Sequence, residues 1–209
     1  AVMYALRLAR AATGRDNVLI VQGGYNGGTD YVSFNLMDSR DVMQDHTPGT
    51  AYPLRPITAG IPEVVQKTVR VVEYNDLSAV EMVLSNSDVA AFILEPILQN
   101  VGIIKPEPGY LQGVRKLCDR YGTVLIFDEV KTGFRHGLGG YQNVAGVTPD
   151  LSIFGKAVAN GYPMGVVGGK ESVMRYCTDS DVSRRVMVAG TYNGHPLVVA
   201  AAIATLGKL

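Results

Sequence analysis

The segment Thr123-Val-Leu-Ile-Phe127 constrains the fold more than any other part of the chain. Its residues are apolar without alternation. A strand with one face in water alternates apolar and polar side chains, so an unbroken run points to a strand buried on both faces. Such strands sit at the centre of parallel sheets covered by helices above and below. The preceding segment fits that arrangement. Pro108-Gly109 opens a helical pattern over Tyr110–Tyr121, with Leu111, Val114, Leu117 and Cys118 on one face, and Gly122 ends it. Hydrophobic residues make up 47% and charged residues 18%, below the roughly 25% charged share usual in soluble domains. The shortfall in charge matches a sheet covered on both sides or a large subunit interface.

The rest of the chain repeats this alternation. Strands are predicted at Asn17–Val21, Thr68–Val72, Val89–Leu94, Thr123–Phe127, Leu151–Phe154 and Gly165–Gly168. Helices are predicted at Leu77–Leu84, Tyr110–Tyr121, Glu171–Tyr176 and Leu197–Leu209. A first helix has Val2, Ala5, Leu6, Leu8 and Ala9 on its apolar face and stops at Gly14. Strands alternating with helices imply βαβ crossovers, hence an α/β fold of three layers with a mostly parallel sheet and helices on both faces. Residues 35–62 carry Pro48, Pro53, Pro56 and Pro62 with little periodicity, and read as a long excursion, either functional or a surface addition. No capping residue precedes Ala1, and no stop signal follows the last apolar stretch. Residues 1–209 are therefore expected to be the central part of a longer polypeptide.

Several function classes find no support. Lys plus Arg and Asp plus Glu number 19 each, and without a basic stripe nucleic acid has little electrostatic reason to bind. No apolar run approaches the roughly 20 residues that span a bilayer, and there is no signal peptide, so the expectation is a cytoplasmic protein. Cys118 and Cys177 do not have metal-ligand spacing, nor do His46, His136 and His195. Reduced thiols and no metal are expected.

The residues with chemical potential lie at strand ends. In open parallel sheets ligands bind beyond the carboxyl ends of the strands, where Asp128 and Glu129 follow the buried run. A carboxylate there is costly to bury unless something cationic meets it. A capping aspartate at the strand–loop junction is the plain alternative. Lys156 follows the next strand. An amine held there, partly desolvated, can be neutral often enough to attack a carbonyl, while a snorkelling lysine is the commoner fate. Together they offer a fixed negative charge and a nucleophilic amine on successive strand ends.

Leu125-Ile-Phe-Asp-Glu-Val-Lys-Thr-Gly-Phe-Arg135, Thr148-Pro-Asp-Leu-Ser-Ile-Phe-Gly-Lys-Ala157 and Asn160-Gly-Tyr-Pro-Met-Gly165 resemble the class III aminotransferases, which depend on pyridoxal 5′-phosphate (PLP). Within that family the likeness is strongest to glutamate-1-semialdehyde 2,1-aminomutase-like members. Gly23-Gly-Tyr-Asn-Gly27, Leu94-Glu-Pro-Ile97 and Gly190-Thr-Tyr-Asn-Gly194 agree, in the family's order, over nearly the whole chain. The resemblance implies fold type I, with residues 1–209 as the large PLP-binding domain and residues 190–209 starting the connection to a small C-terminal domain. It implies that Lys156 holds PLP as a Schiff base and moves the proton, and that Asp128 pairs with the pyridine nitrogen and keeps it protonated. Val130 is implied on one ring face and Tyr25 on the other, with Gly24 beside it and Glu95 near the cofactor. Thr191 is implied to reach the phosphate of a neighbouring subunit's cofactor, hence a homodimer. The implied substrates are an amino-acid or amine donor and a carbonyl acceptor.

Two departures stand out. The family usually has His after the stacking aromatic, where this chain has Asn26. The stretch Thr191-Tyr-Asn-Gly-His-Pro196 leans toward a transaminase that works on ω- or β-amino groups. The family's Gly-Ser/Thr phosphate-binding turn is expected just before Ala1. Transaminase is thus the first expectation and aminomutase the second, with an inactive fragment or binding domain as a third. A nucleotide-binding reading of Gly23–Gly28 fits neither the dinucleotide fingerprint nor the P-loop pattern.

Overall fold

A computed structural model describes residues 1–37 and 46–209. Six strands form one sheet in the order β2-β1-β3-β4-β5-β6: β1 Asn17–Val21, β2 Val69–Val72, β3 Val89–Leu94, β4 Val124–Asp128, β5 Leu151–Phe154 and β6 Val166–Gly169. The first five run parallel and β6 pairs antiparallel with β5. The helices, in chain order, are α1 Val2–Thr13, α2 Glu63–Gln66, α3 Leu77–Leu84, α4 Tyr110–Tyr121, α5 Gly140–Ala145, α6 Glu171–Met174 and α7 Pro196–Leu206.

The apolar run behaves as its pattern requires. Val124 and Ile126 pack into a core layer shared with α1, whereas Leu125 and Phe127 pack into a second layer shared with α3 and α4. The sheet is therefore covered on both faces and the three-layer expectation holds. The strand starts at Val124 and ends at Asp128, one residue later than the predicted bounds. Asp128 is thereby the last residue of β4 itself, paired in register with Ile153 of β5. The predicted helix over Glu171–Tyr176 divides at Arg175, where a tighter 3-10 turn takes over.

One buried carboxylate fastens the layers together. Asp150, just before β5, accepts from the backbone N–H of Leu125 at 2.8 Å, from Arg115 of α4 at 2.9 Å and from Lys170 at 2.7 Å. The excursion is tied down where it is described. Phe34, Tyr52 and Ile61 are buried in the α1-side core, and the Asn35 side chain donates to Gln22 Oε1 and to the Pro53 carbonyl, both at 2.9 Å. Residues 38–45 of it lie outside the described residues.

The strand order determines where a ligand can enter. The chain goes from β1 to β2 on one side, then crosses back to β3 on the other. Loops leaving the carboxyl ends of β1 and β3 diverge there, and the crevice between them is the place where open α/β sheets bind ligands.

Candidate active site

The turn after β1 carries the first two residues of the site. Gly23 has φ +78°, and the chain then presents Tyr25 outward and Asn26 inward. The Tyr25 backbone N–H donates to Glu95 Oε1 at 3.0 Å, and Asn26 Nδ2 donates to Asp128 Oδ2 at 2.8 Å. A single turn is thus held by carboxylates at the ends of two other strands. Glu95, just after β3, also accepts from Gln99 N and Asn100 Nδ2, each at 3.4 Å. Asn100 in turn accepts from Lys131 Nζ at 2.5 Å.

Asp128 is buried, 4% exposed. Its Oδ1 accepts from the Val130 backbone N–H at 3.0 Å. Burial raises its pKa above the ordinary carboxylate value. The donors Asn26 and Val130 and the charge of Lys156 oppose the rise, and Glu129 adds to it. Burial likewise raises Glu95; Tyr25 N–H, Gln99 N–H and Lys131 oppose this, while the charge of Asp128 reinforces it. Glu129 has a different task. It turns away to accept from Thr132 Oγ1, from the backbone N–H groups of Tyr141 and Gln142 and from Gln142 Nε2, and so seats the first turn of α5. Of the two carboxylates after the apolar run, Asp128 is the one that lines the cavity at the strand ends.

Lys156 begins a short 3-10 turn after β5, behind the extended Gly155. It has φ +44°, a left-handed conformation disfavoured for any residue with a Cβ. Strain of this kind persists where the surrounding structure over-determines it, and such places cluster at functional sites. Gly155 is also sterically constrained, because a Cβ there would stand 3.3 Å from the Val130 side chain.

These elements enclose a cavity of about 250 Å³ whose lining includes Tyr25, Asn26, Glu95, Asp128, Val130 and Lys156. Tyr25, 42% exposed, stands at the mouth. The lining thus combines a buried carboxylate, an apolar side chain, an aromatic ring and an amine. A pyridine ring carrying an aldehyde fits this donor set: its cationic nitrogen would relieve the burial of Asp128, and its aldehyde would face the Lys156 amine.

Two residues named from the sequence do not line this cavity. Gly24 is buried beneath the turn, where a Cβ would sit 3.1 Å from the Val21 carbonyl oxygen, so its contribution is to let the turn close. Thr191 stands on an exposed turn whose neighbours Tyr192 to His195 line a second cavity of about 410 Å³, which shares Ala1, Met164 and Gly165 with the first. Lys131 and Met164, which do line the first cavity, were missed. For Lys131 a signal existed, since it directly follows Asp128-Glu129-Val130, but a single lysine on a loop carries no period to mark it. Among the described residues no group of His, Cys, Asp and Glu is placed to hold a metal ion, and no helix is long and apolar enough to cross a membrane.

The fold is that of the fold type I PLP-dependent transferases. The sequence pattern described as Aminotransferase class-III matches residues 1–209, and the chain belongs to the class III aminotransferase family. It is 43% identical to a glutamate-1-semialdehyde 2,1-aminomutase of Ignicoccus hospitalis, over 100% of this chain and 47% of that protein. It is 40% identical to the enzyme of that name from Sulfolobus acidocaldarius, again over 100% and 47%. Among solved structures, an omega-transaminase from Sphaerobacter thermophilus superposes with a TM-score of 0.87 at 34% identity, over 100% of this chain and 47% of the other. A glutamate-1-semialdehyde-aminomutase from Pseudomonas aeruginosa PAO1 in complex with PMP gives 0.77 at 30% identity, over 99% and 45%. The chain spans about half the length of these relatives.

Proposed function

We propose that this domain belongs to an enzyme that transfers amino groups with pyridoxal 5′-phosphate, the transaminase reaction being the first reading. The observation that carries it is that Asp128 and Lys156 line one cavity, together with Val130 and Tyr25. When bound, the cofactor supplies a carbonyl for the amino group and an electron sink for the carbanion left by proton loss. The protein's own residues do the rest. Asp128, with both oxygens already fixed by Asn26 and the Val130 N–H, would set its negative charge against the ring nitrogen and favour its protonated form. Val130 and Tyr25, which line the same cavity, would contact the faces of the ring. Lys156, whose amine shares the cavity, would hold the cofactor's aldehyde through Nζ and serve as the acid–base group for proton transfer at the substrate carbon. Substrates are an amino-acid or amine donor and a carbonyl acceptor. Thr191, exposed on its own chain, suits contact with a neighbouring subunit's cofactor in a homodimer, and the cytoplasm is the compartment that fits the sequence.

The second reading is glutamate-1-semialdehyde 2,1-aminomutase, favoured by the names of relatives at 40–43% identity. The two readings differ in whether the amino group leaves with the cofactor for a second carbonyl compound or returns to the same carbon skeleton. The test loads the intact protein with PLP and offers amino donors one at a time. A transaminase bleaches the visible band with each accepted donor, releases the keto product and recovers the band only when a carbonyl acceptor is added. Turnover of glutamate-1-semialdehyde with no second substrate selects the aminomutase. Neither response, from protein that has taken up PLP, overturns amino transfer.

A further inference from the structure

The two oxygens of Asp128 are each fixed by a different part of the chain. Oδ1 takes the Val130 N–H from its own loop, and Oδ2 takes Asn26 Nδ2 from the turn after β1. Asn26 is buried, 3% exposed, so no water competes freely for that amide. Among the described residues it is the side-chain donor to Asp128. The same turn is pinned one residue earlier, at the Tyr25 N–H, by Glu95, which limits the arc through which the Asn26 amide can swing. Glu95 and Asp128 thus both bind this one turn, at adjacent residues.

An amide differs from the imidazole usual at this position in the family. It offers Nδ2–H donors at every pH and brings no charge of its own. An ionised carboxylate only accepts hydrogen bonds, so an amide nitrogen turned toward Oδ2 favours the ionised form and fixes its direction.

We infer that Asn26 is a positioning residue for Asp128, setting the direction in which that carboxylate meets the ring nitrogen of a bound pyridoxal cofactor. This rests on the function proposed above. Without Asn26, Asp128 keeps one donor, rotates more freely and loses part of what opposes its protonation. The ring nitrogen then loses its proton for a larger share of the time, and the cofactor is released sooner.

The experiment loads the intact protein with PLP carrying ¹⁵N in the ring and reads the nitrogen chemical shift, which reports protonation directly. The unaltered protein gives the shift of a protonated ring. N26L, close in size but without a donor, moves the shift toward the unprotonated value and weakens cofactor retention about 10- to 100-fold, the size expected for one hydrogen bond to a charged group. N26H restores a donor and returns the shift toward that of the unaltered protein. If leucine is not accommodated and the variant fails to fold, N26S serves in its place, its hydroxyl being too short to reach Oδ2. A fully protonated ring and unchanged retention in N26L, or in N26S where that is used, overturns the role of Asn26 alone. An unaltered protein that takes up no PLP sinks the proposed function before any variant is compared.

Discussion

The backbone N–H of Tyr25 donates to Glu95 Oε1 at 3.0 Å, so the aromatic at the cavity mouth is held by a carboxylate from the neighbouring strand. Burial is the larger influence on that carboxylate, and it outweighs the N–H donors that stabilise the charge. The consequence has a definite sign. A carboxyl group whose pKa is raised on folding contributes stability that is complete below the unfolded value, near 4.3 for glutamate, and is lost as pH rises through the folded value.

Glu95→Gln removes that titration while keeping a carbonyl oxygen for Tyr25. Urea unfolding of the cofactor-free protein, followed from pH 4 upward, should show the unaltered protein losing more stability than E95Q as pH rises above the ordinary carboxylate range. Parallel profiles for the two proteins would mean that Glu95 is not desolvated as its place behind the turn requires.

Asp150 has the opposite sign. Burial alone would raise it, but Lys170, the Leu125 N–H and Arg115 together hold it below the ordinary value. Its contribution is present above the unfolded aspartate value, near 3.9, and is lost as pH falls through the lower folded value. Asp150→Ala leaves Arg115 without its buried partner and should cost about 3 kcal/mol at neutral pH. The deficit relative to the unaltered protein should shrink on acidification below pH 4, as measured by chemical denaturation at stepped pH.

Lys156 at φ +44° makes a claim about strain that does not depend on any cofactor. Glycine carries no left-handed penalty, whereas alanine does, at roughly 1 kcal/mol or somewhat more. K156G should therefore match or exceed K156A in stability by about that amount, against the usual ordering in which glycine is the weaker. Differential scanning calorimetry of the two cofactor-free variants decides it. K156A unfolding clearly above K156G would show that the backbone at 156 relaxes.

The architecture was legible because its signals are periodic or punctuated. The unalternating run at Thr123–Phe127 gave the buried strand, and Gly109 and Gly122 bracketed α4 at its observed bounds. The short elements were not legible. Glu63–Gln66 and Gly140–Ala145 hold too few residues to display a helical period. The site was legible in part. Asp128 and Lys156 stood out as polar residues at strand ends, where burial demands a reason. Tyr25, Val130 and Glu95 came from the family motifs and line the same cavity, whereas hydrogen bonds such as Asn26 to Asp128 join positions far apart in the chain, and composition carries no trace of them. Strand-end position alone did not separate Glu129 from Asp128, which only the family motif singled out, and the placement of Gly140, Tyr141 and Gln142 against Glu129 shows that it holds α5.

The central claim is that Lys156 bonds to the cofactor. Intact protein incubated with PLP and reduced with borohydride should carry one pyridoxyl group per chain. Peptide mapping should place it within Leu151-Ser-Ile-Phe-Gly-Lys-Ala157, with the modification lost in Lys156→Ala. A label found on Lys131, which lines the same cavity, or spread over surface lysines with none on Lys156, would contradict the account.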